Sequence, residues 1–312
     1  MFFAKLLRGE RYYTICVRPY LSKEKPFKSL LLHERYWYAD PLGIDYNGKL
    51  FVFMEVFDKK VRKGYIGVSQ VDKEGNMSTP EKVIEEQWHL SFPFVFKKGD
   101  SYYMIPESCK SEKLWLYKCK QFPLNWEAVS YIEKRPNQVD TVIFEREGKY
   151  YAVSSDIDPN NSYRSREKIE ELVITGDRME MRPSDLSFFT NRDYDYSSRS
   201  GGGFIDLNDS WKRVIQVSKE GIYGVAIEIR DSSINEGKIY EFAEALIDVH
   251  SLKEALDGVV FVPSEKRIGI HTYGIVNGME IIDLSYWHFS MQELYYRFRD
   301  KLNYSFKVFN KK

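Results

Sequence analysis

The chain lacks most of the features that assign a protein class outright. Its three cysteines, Cys16, Cys109 and Cys119, are an odd, widely spaced set with no histidine in ligand spacing, which excludes a disulfide framework and a zinc module. Lys plus Arg equals Asp plus Glu at 46 each, so no net field draws the protein to nucleic acid, and any charged partner must be met locally. No apolar run approaches the roughly 20 residues of a spanning helix, and the apolar part of residues 1–10 is too short for a signal peptide. A cytoplasmic location is the expectation. Gly201-Gly-Gly203 lacks the spacing of a Walker or dinucleotide loop, and no usable Ser-His-Asp signature is present, so neither nucleotide-binding nor serine-hydrolase chemistry is credited.

Aromatic β-formers are plentiful, with 23 Tyr and 20 Phe, the residues that fit pleated, half-buried surfaces. They fall into a phrase that recurs. Residues 40–55, 92–107 and 140–155 align without a gap, each an apolar run, a polar turn with Gly, and a second apolar or aromatic run, which is a β-hairpin written in sequence. A weaker copy spans 201–216 and a looser one about 270–283. The spacing of about fifty residues suits a four-stranded propeller blade, so the expected fold is all-β, a single five-bladed β-propeller over residues 1–312. Its blades start near 40, 92, 140, 201 and 270. Residues 1–36 supply a closing strand through Tyr12–Arg18, because closure removes exposed strand edges.

Outside the repeat, Ser251–Asp257 is predicted as a short helix with Ser251 and Glu254 as a capping box. Residues 156–165 and 190–200 are predicted as long polar loops able to wall a site. The end of the chain, 290–312, reads as a short helix followed by a basic, aromatic tail, six Lys or Arg against two acids in 23 residues. Such a tail can rest on an anionic membrane surface or a glycolipid acceptor.

Alignment of the copies sorts residues into columns that converge at one mouth of a propeller funnel. The first column reads Asp40, Phe92, Asp140 and Gly201, with His271 near the corresponding place, and His89 and Arg199 just upstream of theirs. The last column reads Glu55, Glu107, Ser155, Gln216 and about Asp283. Two carboxylates across a cleft are what glycosidic chemistry needs, one to activate or replace the nucleophile and one to protonate the leaving oxygen. Asp40, Asp140 and Glu107 are the candidate catalytic residues; Glu55, His89, Arg199, Gln216 and His271 are the candidate substrate contacts. Arg164 and Arg166 could grip a phosphate or carboxylate. Asp156-Ile-Asp158 has an acid-x-acid spacing that can hold a divalent cation, but the motif is short and recurs by chance, so neither metal nor cofactor is assigned beyond an activated sugar donor.

Several phrases occur in order: Trp37-Tyr-Ala-Asp-Pro-Leu42, Phe51-Val-Phe-Met-Glu55, Lys63-Gly-Tyr-Ile-Gly-Val-Ser69, His89-Leu-Ser-Phe-Pro-Phe-Val-Phe96, Tyr102-Tyr-Met-Ile-Pro-Glu-Ser108, Phe122-Pro-Leu-Asn-Trp126 and Gly269-Ile-His-Thr272. Together they resemble the N-terminal domain of glucosamine inositolphosphorylceramide transferases and its stand-alone bacterial relatives, over nearly the whole chain. The resemblance implies a five-bladed propeller related to arabinanases, levansucrases and invertases, with a carbohydrate-facing funnel. It implies that Asp40 matches the base or nucleophile of those hydrolases and Asp140 their substrate-orienting Asp. Gln216 stands where a later-blade general acid would, and Gln cannot deliver a proton. Val217 occupies a place where the family pattern tends to carry an Asp. The expected function is therefore a glycosyltransferase or related enzyme of surface-polysaccharide or glycolipid assembly, acting on a carbohydrate or nucleotide sugar. An arabinanase-like glycoside hydrolase and a non-catalytic glycan-binding or scaffold module are the alternatives.

Overall fold

The structure, a computed structural model, describes residues 9–299 except 23, 190–192, 208–209, 293 and 297–298. It is a five-bladed β-propeller. Blade one comprises Tyr36–Tyr46, Lys49–Asp58, Lys63–Val71 and Glu81–Ile84; blade two Ser91–Lys98, Ser101–Glu107, Lys113–Gln121 and Asn125–Glu133; blade three Gln138–Arg146, Lys149–Asp158, Asn161–Thr175 and Arg178–Pro183. In blade four the innermost position is split between Arg199–Ser200 and Ile205–Leu207, both paired with Ser210–Lys219, followed by Ile222–Asn235 and Lys238–Asp248. Blade five joins the two ends of the chain. Tyr273–Val276 pairs with Met279–His288, which pairs antiparallel with Glu10–Pro19 over its full length, and Lys28–Ser29 lies outermost.

The hairpins follow from patterning. Lys49–Asp58 is buried at nearly every position because each of its faces meets a different blade. Leu50, Val52, Met54 and Val56 pack with Ile15, Val17 and Ile281 of blade five, whereas Phe51 and Phe53 pack with Leu90, Met104 and Tyr117 of blade two. Alternate residues of one strand thus feed two cores, which is why the strand reads as an apolar run interrupted at Glu55. Equivalent layers lie between blades two and three and between blades four and five. Each buried aliphatic or aromatic side chain in these layers contributes about 1.5–3 kcal/mol.

Three local expectations are corrected. Residues 156–165 form a tight hairpin rather than a loop, with Asp158 paired to Asn161 across the turn. The Ser251–Asp257 α-helix does not form; turns lead into a 3-10 turn at Ala255–Gly258. The reason is local: Ser251 Oγ already accepts the Asp248 N–H at 2.9 Å, while Asp248 Oδ1 accepts the N–H groups of His250 and Ser251, so the serine is spent on an Asx turn. Arg164 and Arg166 accordingly stand on a strand; Arg164 Nε donates to Tyr194 O at 3.0 Å and Arg166 lies over the Tyr194 ring. A short helix near the C-terminus begins at 291, and the predicted tail over 301–312 lies outside the described residues.

Candidate functional site

The first column of the repeat has a backbone signature. Asp40, Phe92 and Asp140 have φ of 52, 42 and 51°, each at a register shift in the innermost strand of its blade, between Ala39 and Leu42, Ser91 and Phe94, and Val139 and Val142. These are β-bulges with a left-handed residue, a conformation costing about 1–3 kcal/mol for a residue with a Cβ. The bulge turns the side chain out of the strand's alternation, and the strain is kept at three equivalent positions around the ring.

Asp40 is buried among groups from two other blades. Its Oδ2 accepts the Phe92 N–H at 3.1 Å, and its Oδ1 lies 3.1 Å from His271 Nε2. His271 Nδ1 lies 2.5 Å from Asp283 Oδ2, a charge contact without hydrogen-bond geometry. Asp283, fully buried, also accepts the N–H groups of Asp40, His271 and Thr272. Burial opposes charge on His271, but Asp283 and Asp40 outweigh it and raise the ring to about 10. Burial likewise opposes ionisation of Asp40, and the His271 hydrogen bond and charge, the Phe92 N–H and Arg199 overcome it, so the carboxyl titrates below its usual range. The centre is an imidazolium between two carboxylates. Gly224 makes room for it: φ is +54°, and a Cβ there would meet the His271 Cβ at 2.4 Å.

Beside it, Arg199 donates to Asp140 Oδ2 from Nε at 2.7 Å, with Nη2 2.6 Å from the same oxygen, and Gln216 Nε2 approaches it at 3.4 Å while donating to Ser200 O at 2.9 Å. Burial raises Asp140 and the guanidinium offsets it only in part, whereas for Arg199 the carboxylate outweighs burial and holds the guanidinium charged. The acid carries the desolvation cost of this pair. Glu107 Oε1 meets Lys134 Nζ at 2.5 Å, both side chains 6–7% exposed, yet burial still raises the carboxyl. Glu55 Oε1 lies 3.5 Å from His89 Nε2, and burial together with Asp40 pushes it well above its ordinary value. The eight residues selected from the columns thus fall into local groups, Asp40 with His271, Asp140 with Arg199 and Gln216, Glu55 with His89, and Glu107 with Lys134, whose charges act on one another.

An aromatic rim surrounds it. Tyr13 lies 4.8 Å from the His271 ring and 5.3 Å from Trp37, Trp37 stacks on Phe57 at 4.5 Å, and Arg199 lies over Tyr223. A cavity of about 370 Å³ opens among Arg11, Trp37, Phe57 and Arg62. A further cavity of about 780 Å³ lies between blades four and five, and neither cavity is lined by any of these acids. Sequence reasoning missed Lys134, Tyr13, Phe57 and Tyr223, which lie outside the columns; Tyr13 arrives on the strand that closes the ring.

Asp40, His271 and Asp283 offer ligand atoms within 4.8 Å of one another. Asp156 is engaged by Arg135 at 3.0 Å, and Asp158 accepts the Asn160 N–H and faces Arg164.

Among solved structures, β-1,2-mannobiose phosphorylase from Listeria innocua is similar with a TM-score of 0.54 and 13% identity, over 83% of this chain and 92% of that one. A Bombyx mori GH32 β-fructofuranosidase in complex with sucrose is similar with a TM-score of 0.51 and 14% identity, over 71% of this chain and 54% of that one. These likenesses establish the fold. In sequence, glucosamine inositolphosphorylceramide transferase 1 of Arabidopsis thaliana is 37% identical over 119 residues and its Oryza sativa subsp. indica counterpart 33%, each covering 38% of this chain. The aligned stretch is only 15% and 16% of the length of those relatives. The model of the glucosamine inositolphosphorylceramide transferase 1 N-terminal family matches residues 32–258, and the chain belongs to that family.

Proposed function

We propose that the funnel is a catalytic site for glycosyl transfer in glycolipid or surface-polysaccharide assembly, with Asp40 as base or nucleophile and Asp140, oriented by Arg199 and Gln216, holding the sugar. The observation that carries this reading is the state of Asp40: a buried carboxylate kept ionised by His271 at 3.1 Å and by a backbone N–H, at a strained bulge and beneath an aromatic rim. Aromatic faces suit the apolar faces of sugar rings, and a carboxylate held below its usual titration range can stabilise or attack an anomeric centre. The family's named transferases support the same chemistry. No helix among the described residues is long and apolar enough to cross a membrane; action at the cytoplasmic face of a membrane is part of the proposal.

Hydrolysis of glycosides is the second reading, favoured by a buried carboxyl, Glu55, that burial and the charge of Asp40 push well above its ordinary range. A panel of nucleotide sugars, oligosaccharides and aryl glycosides, each with and without acceptor, tests both. Turnover should fall by about 10²–10⁴ in Asp40→Asn. Glycan binding without turnover, unchanged in Asp40→Asn, would leave only a binding module.

A further inference from the structure

The five acids gathered at the axis are not equivalent. Asp40 and Asp283 share His271, Asp140 holds Arg199, and Glu107 holds Lys134. Among the described residues, Glu55 has no such cation. Its side chain is 6% exposed, its Oε1 lacks a hydrogen-bond partner, and its close titratable neighbour is His89. The Gly64 N–H donates to His89 Nδ1 at 2.9 Å, which makes Nδ1 an acceptor and places the ring proton on Nε2, facing Glu55. Burial lowers His89, so the ring is neutral at pH 7 and supplies no charge. The other groups acting on Glu55 are Asp40 and Asp283, which oppose its ionisation, and His271, which favours it from beyond Asp40; Tyr13 packs on that same ring. A buried carboxyl with no cation beside it is biased toward its protonated form.

Apart from Lys110, whose charge acts on His89, the cations beside these acids are engaged. Arg199, Lys134 and His271 each face an acid, and Arg11 donates to the carbonyl oxygens of Tyr223 and Gly224. A diphosphate leaves as a stable anion and asks a site for positive charge, whereas a sugar alkoxide leaves only if it is protonated. We propose that Glu55 is the proton donor of this funnel, and that the bond it serves joins the transferred sugar to the oxygen of a neutral alcohol, another sugar or a polyol, rather than to a diphosphate. The assignment rests on the glycosyl-transfer reading above.

In the step, the C–O bonding pair departs with the leaving oxygen, which takes the Glu55 proton. Water or an acceptor hydroxyl bonds to the anomeric carbon and yields its proton to Asp40. Exchange with solvent then returns a proton to Glu55 and removes one from Asp40, so a glycoside and a hydroxyl compound become a new glycoside, or free sugar, and an alcohol. Glu55 fills the role that Gln216 cannot, from blade one instead of blade four, and His89 is its positioning residue.

The test compares wild type and Glu55→Gln on two glycosides of one sugar, one releasing dinitrophenolate and one an alkyl alcohol. The substitution should lower kcat/KM for the alkyl glycoside by about 100-fold or more, alter the dinitrophenyl glycoside by less than about 3-fold, and abolish the alkaline limb of the pH profile. Equal losses on both, or nucleotide release from a nucleoside-diphosphate sugar that survives Glu55→Gln, overturns the proposal. Infrared spectroscopy gives a readout that needs no turnover: a protonated-carboxyl band at neutral pH that Glu55→Gln removes and Glu107→Gln leaves. Absence of that band overturns the proposal whatever the kinetics. Turnover of neither donor class by wild type, with the band present, overturns glycosyl transfer and with it the donor role, so the two failures are distinguished. Unchanged circular dichroism of Glu55→Gln verifies its fold.

Discussion

Removing Arg199 while keeping Asp140 tests the electrostatics of the site without knowledge of the substrate. The guanidinium makes both of its contacts to one oxygen, Asp140 Oδ2, with side chains 16% and 5% exposed. In Arg199→Met the carboxyl keeps, among the described residues, Gln216 Nε2 at 3.4 Å as its side-chain donor. Breaking a buried pair costs about 3–5 kcal/mol, and the residual exposure of Arg199 places this one near about 3 kcal/mol at pH 7. That is roughly two pK units on Asp140. The sign of the pH dependence follows. Asp140 is already raised in the fold by burial and would be raised further, so the penalty is full above its folded pKa and fades as pH falls toward the unfolded value near 3.9. Urea unfolding of the wild type, Arg199→Met, and Arg199→Met combined with Asp140→Asn, at pH 5 and pH 7, measures it. The double variant should recover most of the loss, because no buried charge remains. A cost under about 1 kcal/mol at pH 7, typical of an exposed pair, or no recovery in the double variant, would refute the reasoning.

Other outcomes follow from the same site. His271, raised to about 10, contributes stability that is fully present below the unfolded value near 6.5 and lost as pH rises toward 10; urea unfolding across that window should show the decline, and His271→Gln should remove the slope. Gly224→Ala places a Cβ on the His271 Cβ at a φ of +54° and should lower stability by about 2 kcal/mol or more in the same assay. Trp37→Ala removes the stacked face beside Phe57 and should weaken binding of a glycan ligand by about 10-fold, measured calorimetrically, with stability little changed.

The repeat made the fold legible because a hairpin writes itself locally: an apolar run, a Gly turn, a second run, as in Asp40–Glu55. The same alignment made the site residues legible, since equivalent positions of a ring converge. Ser251 shows where local patterning misleads, because the Asx turn at Asp248 competes for its hydroxyl and a capping box never forms. The Asp156–Ser165 stretch shows the converse: a polar composition hid two long paired strands.

By itself, then, the sequence determined the five hairpins and the acids at their ends. The tertiary structure decided what those acids are. Asp140 and Arg199 are 59 residues apart and on different blades, Asp40 meets His271 only across the closed ring, and Lys134 reaches Glu107 from the outermost strand's end. No local pattern encodes which carboxyl finds a cation. Ionisation depends on distance and burial, and only the closed propeller sets both, leaving Glu55 beside a neutral histidine and Asp40 beside an imidazolium.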